Sequence, residues 1–187
     1  MAIKLKHSCE YSTYFITFTC WNWINLFDIT EGYDLVYKWF TYLREKKKGE
    51  VLAYVIMPNH IHAILYFENE KFDLNKIVGN GKRFIAYEFI KRLEAKNDYV
   101  LLETLSNAVS AREKKKGQLH KCFEESFDAK AIFSDKFLQQ KINYIHYNPV
   151  KGKWNLAEDY IEYEHSSASF YELGKVKLFR PLHYGDL

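Results

Sequence analysis

Two histidines one residue apart, His60 and His62, stand inside the run 54–67, whose other members are mostly apolar or β-branched. In a strand, residues i and i+2 point to the same face, so both imidazoles project side by side. Val55, Ile56, Ile61, Ile64 and Leu65 belong in a buried sheet, which makes a histidine pair among them costly unless both rings find partners. Two readings fit that demand. The rings are core histidines with satisfied hydrogen bonds, or they are two ligands of one metal ion, which then needs a third ligand or water.

Around this strand the chain reads as an alternating α/β pattern. Residues 12–20 alternate aromatic or β-branched residues with threonine, as a strand does. Trp21-Asn-Trp23 lies in the loop after it. Between about 33 and 47, Val36, Trp39, Phe40 and Leu43 fall at i, i+3, i+4 and i+7, an amphipathic helix closed by lysines and Gly49. A second strand spans 51–57, and the turn signal Pro58-Asn59 joins it to the histidine strand as a hairpin.

Residues 67–81 are a polar, glycine-containing connection with room for a short helical turn. A second helix is expected over 82–96, with Ala86, Phe89, Ile90 and Leu93 as its core stripe. Residues 97–117 carry no clear periodicity, and 119–127 are expected to supply a fourth strand. The resulting order, β-α-β-β-α-β, is that of a ferredoxin-like or RRM-like antiparallel sheet of the α/β (α+β) class. A third helix starts at Ser134-Asp135 and stops at Asn148, because Pro149 disfavours helical geometry in the residue before it. With 187 residues, one domain over 1–187 is expected, with a core of about 12–150 and an extension over 151–187.

Composition narrows the class by exclusion. No apolar run reaches the roughly 20 residues that cross a bilayer, and Met1-Ala-Ile-Lys-Leu-Lys6 lacks the apolar core of a signal peptide, so a cytoplasmic, nucleoid-associated protein with no membrane partner is expected. Cys9, Cys20 and Cys122 are odd in number and scattered, which reads as reduced thiols. A net charge of +3 does not by itself announce a nucleic-acid binder. The basic residues nevertheless cluster, at 44–48, Lys82-Arg83, Lys91-Arg92, 114–116, and Lys151 with Lys153, as solvated helix ends or as phosphate contacts.

The third helix offers the histidines company. At about 100° per residue, Leu138, Ile142 and Ile145 form its buried stripe, while Tyr144 and Asn148 are neighbours four residues apart on another side. Asn148 has a carbonyl oxygen that suits a metal. Taken by itself Tyr144 reads first as a half-buried core tyrosine, and Tyr147 and Tyr87 compete with it.

The pairing of Met57-Pro-Asn-His-Ile-His62 with Tyr144-Ile-His-Tyr-Asn-Pro-Val150 resembles the single-tyrosine HUH transposases, above all the REP-associated tyrosine transposases. Gly81-Lys-Arg-Phe-Ile-Ala-Tyr87 is similar to their intervening basic helix, and Glu164-His-Ser-Ser-Ala168 to their C-terminal double-serine segment. The resemblance spans roughly 14–169. It implies a divalent cation, Mg²⁺ or Mn²⁺, on His60, His62 and Asn148, and Tyr144 as the nucleophile that cleaves single-stranded DNA and leaves a 5′-phosphotyrosine and a free 3′-OH. It also implies hairpin-forming DNA as the partner and a monomer or homodimer as the working unit. Lys82, Arg83, Lys151 and Lys153 become the expected phosphate contacts, and Trp21 or Trp23 a stacking surface for an unpaired base.

Three departures stand out. Lys151-Gly-Lys-Trp154 replaces the usual Arg-Ala-Gly-Leu, His165 stands where tryptophan usually precedes the serines, and Trp21-Asn-Trp23 replaces arginine pairs after the first strand. They bear on which DNA is recognised. Two other activities share these features: an RRM-like binder of structured nucleic acid without catalysis, and a metal-dependent phosphoesterase in which water attacks.

Overall fold

The computed structural model describes residues 11–68 and 72–187. Cys9 and the opening residues 1–6 lie outside them, as do 69–71 of the expected connection. Among the described residues no helix is long and apolar enough to cross a membrane.

Four strands make one antiparallel sheet: β1 (Thr13–Thr19), β2 (Gly49–Met57), β3 (His60–Phe67) and β4 (Asp128–Ala131), in the spatial order β2-β3-β1-β4. Helices α1 (Leu26–Ile29) and α2 (Tyr33–Lys47) join β1 to β2. Helices α3 (Leu74–Ala95), α4 (Tyr99–Asn107) and α5 (Ala111–Lys114) join β3 to β4, and α6 (Asp135–Tyr147) and α7 (Ala168–Leu173) follow. This is the expected ferredoxin-like arrangement.

The sheet is buried on both sides, and strand alternation decides which residue serves which side. Tyr14, Ile16, Phe18, Tyr54, Ile56, Ile61, Ala63 and Leu65 point toward α2 and α3 and form the larger core with Trp39, Phe40, Ile85 and Phe89. Phe15, Ala53, Val55, Met57 and Ile64 point the other way, where Leu138, Ile142 and Ile145 of α6 cover them. His60 and His62 share the phase of Ile64, so they face α6. Helix α6 starts where the sequence places it: Ser134 caps it, its side chain accepting from the Phe137 amide.

The C-terminal tail closes the outer edge of β2. The Ile56 amide donates to the His165 carbonyl (2.9 Å), and the Ser167 amide to the Tyr54 carbonyl (3.0 Å). Tyr171 and Tyr163 donate their hydroxyls to the carbonyls of Leu52 and Ile56. An edge strand that would otherwise present free backbone groups is thereby paired.

Two expectations need correction. The second helix begins at Leu74, eight residues before Lys82, capped by Asp73, which accepts from the Lys76 amide. Gly79 and Gly81 suggested a loop, yet both are helical; Gly81 is buried, and a Cβ there would meet the Trp39 indole at 2.5 Å. It is glycine because the helix crosses a tryptophan there. The fourth strand, expected over 119–127, lies at Asp128–Ala131. The carbonyls of Glu124, Glu125 and Ser126 are turned toward the Lys82 ammonium and so are unavailable to a ladder. Upstream, pairing is limited to a single bridge between Cys20 and Phe123. The stretch 97–117, without assignment from sequence, holds α4 and α5.

The two glycines of α3 should respond oppositely to alanine. Gly79 is exposed with open space around it, so Gly79→Ala should stabilise by about 0.5–1 kcal/mol. Gly81→Ala gains the same propensity but drives a methyl into the buried Trp39 ring, an overpacking cost of about 1–3 kcal/mol. Thermal unfolding of the two variants should therefore move Tm up and down respectively. An equal rise in both would contradict the close approach.

Candidate active site

His60 and His62 line a cleft of about 480 Å³ between the sheet and α6. Their ring centroids are 4.8 Å apart and their planes nearly perpendicular, at 78°. Each is fixed by a second contact. Asn59 Nδ2 donates to the Trp23 carbonyl (2.9 Å) and to Asn25 Oδ1 (3.0 Å), which turns Asn59 Oδ1 toward His60 Nδ1 at 2.8 Å. An amide oxygen can only accept, so Nδ1 of His60 carries the proton and Nε2 keeps its lone pair. His62 Nδ1 lies 2.6 Å from Thr17 Oγ1, its cross-strand partner on β1.

Burial disfavours the imidazolium form of both rings. The pKa of His60 is lowered to about 4 by desolvation, with the Lys153 charge adding to the effect against an opposing contribution from Asn148. His62 is lowered well below its ordinary value by desolvation, then by His60 and Lys141. Near neutral pH both rings are neutral and present lone pairs.

Helix α6 brings the third and fourth participants. The Tyr144 ring meets His62 edge-on at 5.1 Å and Phe15 at 5.9 Å, and it is 45% exposed, so its hydroxyl is open to a substrate. The rival tyrosines point elsewhere. Tyr147 packs on Tyr160 at 4.1 Å, and Tyr87 is on α3 behind the sheet. One turn beyond Tyr144, the Asn148 side chain lies close enough to His60 to favour its protonated ring, and its Oδ1 is buried with no hydrogen bond of good geometry among the described residues. A buried amide oxygen so poorly satisfied costs free energy.

Among the described residues no cluster of three His, Cys, Asp or Glu side chains forms a metal site. The donors that converge are two neutral imidazoles and one orphaned amide oxygen. That set fits a divalent cation only if phosphate or water oxygens complete it, as Mg²⁺ and Mn²⁺ accept.

The basic residues expected to contact DNA divide into two groups. Lys153 lies close enough to influence His60 and covers Trp154 at 5.3 Å, while Trp154 stands 6.1 Å from His60. Lys151 covers Tyr147 at 5.0 Å. Both are exposed, and of the two Lys153 is the one tied to the cleft, through His60. Lys82 and Arg83 are on α3, which packs against the other side of the sheet. Lys82 donates to the carbonyls of Glu124 (2.7 Å), Ser126 (3.1 Å) and Glu125 (3.4 Å), and burial lowers its pKa to about 8. It ties down the chain leading to β4. The tryptophans also part: Trp21 packs against the larger core, whereas Trp23 is 57% exposed, lines the cleft and meets His60 at 5.7 Å.

Sequence reasoning missed Lys141, Asp128, Lys130 and Thr17, which line the same cleft. Lys141 was within reach, three residues before Tyr144 on a helix. Asp128 and Lys130 were hidden by the misplaced strand. The Asn59 contact was visible only as part of a turn signal.

The solved structures supply the comparison. A REP-associated tyrosine transposase bound to a REP hairpin aligns with a TM-score of 0.61 over 97% of this chain and 92% of that one, at 19% identity. The chain has the fold of that transposase. A Deinococcus radiodurans protein described as a transposase aligns at a TM-score of 0.42 and 13% identity over 78% of this chain and 95% of that one, too distantly to add to the argument. No family model matches the sequence, and no curated protein matches it.

The buried histidines make stability pH-dependent. His60 and His146 both have folded-state pKa values lowered to about 4 by desolvation, against about 6.5 in an unfolded chain. The unfolded state therefore takes up protons first as pH falls. Stability should be fully present above about pH 6.5 and be lost on acidification toward pH 4, on the order of 3 kcal/mol for each ring. Urea unfolding of metal-free protein at several pH values checks this, and an unchanged unfolding free energy from pH 7.5 to 4.5 would contradict it.

Proposed function

We propose that this protein is a metal-dependent single-tyrosine DNA transposase that cleaves and rejoins single-stranded DNA at hairpin-forming elements. The observation that carries the reading is the meeting of Tyr144, half exposed and 5.1 Å from His62, with the orphaned Asn148 Oδ1 one turn further along the same helix. The shared fold with a transposase bound to a REP hairpin supports it.

The chemistry suits these side chains. The Tyr144 oxygen attacks the scissile phosphorus and its proton is lost to solvent. The P–O3′ bond breaks, the 3′ oxygen leaves as a hydroxyl, and the 5′ phosphate stays on the tyrosine as an ester. Because one phosphodiester replaces another, the step is nearly balanced in energy and reverses when a 3′-OH attacks the phosphotyrosine. A free phenol is a weak nucleophile near neutral pH. His60, His62 and Asn148 would hold a divalent cation, which would supply the polarisation of the phosphoryl oxygen that such an attack needs. Asn59 and Thr17 hold the two rings, and Phe15 braces Tyr144 from the sheet side. On this reading Lys151 and Lys153 contact the DNA backbone, and Trp23 meets an unpaired base beside His60.

Hairpin oligonucleotides with single-stranded flanks, incubated with Mn²⁺ or Mg²⁺ and run on a denaturing gel, test the proposal. A covalent protein–DNA adduct is expected, abolished by Tyr144→Phe. His60→Ala with His62→Ala should slow its formation on the order of 100-fold or more, the several kcal/mol that a metal contributes. An adduct that survives Tyr144→Phe overturns the assignment of the nucleophile. Cleavage with no adduct makes the protein a phosphoesterase using water, and hairpin binding with no cleavage makes it a binder.

A further inference from the structure

The surface leading out of the cleft carries a ladder of rings and ammonium groups that runs on beyond the groups the reaction uses. From solvent inward, Phe133 is 71% exposed and stacks on Phe137 at 5.5 Å with planes 19° apart. The Lys141 ammonium lies 5.3 Å from the Phe137 ring, 4.7 Å from Phe15 and 5.5 Å from Tyr144. Three of these four, Phe137, Lys141 and Tyr144, recur at i, i+4 and i+7 along α6, so they share one stripe.

Across the cleft stands a second ammonium. Lys130 on β4 is the cross-strand partner of Phe15, the ring that Lys141 covers. Two lysines thus flank one phenylalanine, and both line the cleft. Among the described residues neither ammonium is in an ion pair. Lys130 is also one of the two causes, after desolvation, that lower the pKa of Lys141. The carboxylate of the cleft, Asp128, belongs to the neighbouring row, opposite Thr17 and in line with His62. Like charges that face each other without a counter-ion favour an anion between them.

We propose that Lys130 and Lys141 clamp a backbone phosphate of the single strand next to the scissile phosphate, while Phe133 and Phe137 form a ledge on which the adjoining unpaired base stacks. The inference rests on the proposed strand-transfer reading for the position of the scissile phosphate; the clamp and ledge themselves do not depend on catalysis. Exposed aromatic faces beside paired lysines are what an unpaired strand needs and what a duplex cannot use, since paired bases hide their faces. The strand then leaves the site along α6 and β4, away from Lys153 and Trp23 at the His60 end.

Fluorescence anisotropy of metal-free Tyr144→Phe protein with a labelled single strand of about 12 nucleotides tests this. Lys130→Gln with Lys141→Gln should make the slope of log K against log salt shallower by about 1.4, two phosphate contacts at roughly 0.7 each. Phe133→Ala should weaken binding roughly 10-fold at constant slope, and the loss should vanish when the stacked nucleotide is abasic. Unfolding midpoints of the variants establish that they remain folded. Unchanged slope and affinity in folded variants overturn the clamp, as does tighter binding of a duplex of equal length. Adduct formation by otherwise native protein is scored separately: adducts with no slope change sink the clamp alone, and a slope change with no adducts keeps the clamp and sinks the strand-transfer reading.

Discussion

The pleat of β3 is the constraint on which the rest of the site depends. Because successive side chains of a strand alternate, Ile61, Ala63 and Leu65 feed the core under α2 and α3 while His60, His62 and Ile64 face α6. A slip of one residue would bury both imidazoles against Phe18 and Trp39, where their nitrogens would find no acceptor, and would turn isoleucine into the cleft. The register is held from both sides: by a bulge between Val51 and Ala53 on β2, and by seven consecutive partners on β1, ending with Thr19 opposite His60. The Pro58-Asn59 turn adds a lock of its own, since the Asn59 carbonyl accepts from Cys20 and the Pro58 carbonyl from Phe27. The same turn that makes the hairpin also fixes the tautomer of His60.

Helix α6 must sit over those histidines and still leave a cleft beside them. Its hydrophobic stripe alone would leave rotation about the helix axis poorly defined, and His146 supplies the missing restraint. Its Nε2 lies 2.9 Å from Ser167 Oγ, which also accepts from the Tyr54 amide (3.0 Å) and lies 3.2 Å from the Tyr54 carbonyl. With the imidazole N–H and the Tyr54 amide donating to the hydroxyl, and the hydroxyl donating to the carbonyl, the capacity of the serine is used in full. One buried serine thus joins α6, the tail and the outer edge of β2. The double-serine segment is structural in that sense, holding the helix that carries Tyr144. His165, in the position otherwise occupied by tryptophan, stacks on Tyr33 at 3.8 Å and reaches the Tyr37 hydroxyl at 3.1 Å, so an imidazole serves there as an aromatic plate.

Local signals are what the sequence made legible. The β2–β3 hairpin, α2 with its stripe of Val36, Trp39, Phe40 and Leu43, and the Ser134 cap of α6 all follow from residues close in the chain. The histidine pair and its phase were readable for the same reason. What failed was non-local. Gly81 reads as a loop residue unless one knows that Trp39, on another helix, lies against it. Lys82 reads as a free cation beside Arg83 unless one sees three carbonyls converging on it. The fourth strand was expected over 119–127, whereas the ladder uses the more polar Asp128–Ala131. Asp128 and Lys130, the cleft residues on that strand, were lost with it.

The cations around the site serve two ends that pull against each other. Lys153 near His60 and Lys141 near His62 disfavour protonation of the imidazoles, which preserves their lone pairs. The same positive charges repel any divalent cation that those lone pairs would bind. A phosphate entering the cleft resolves the conflict, because its negative charge offsets the lysines and its oxygens complete the ligand set. On the proposed reading, metal affinity and DNA affinity must therefore rise together, and by equal factors, since coupling between two ligands is reciprocal. The orphaned Asn148 oxygen fits this logic. It stands at the helix end, beside the tyrosine, where on the proposed reading it would complete the ligand set that the two histidines leave open.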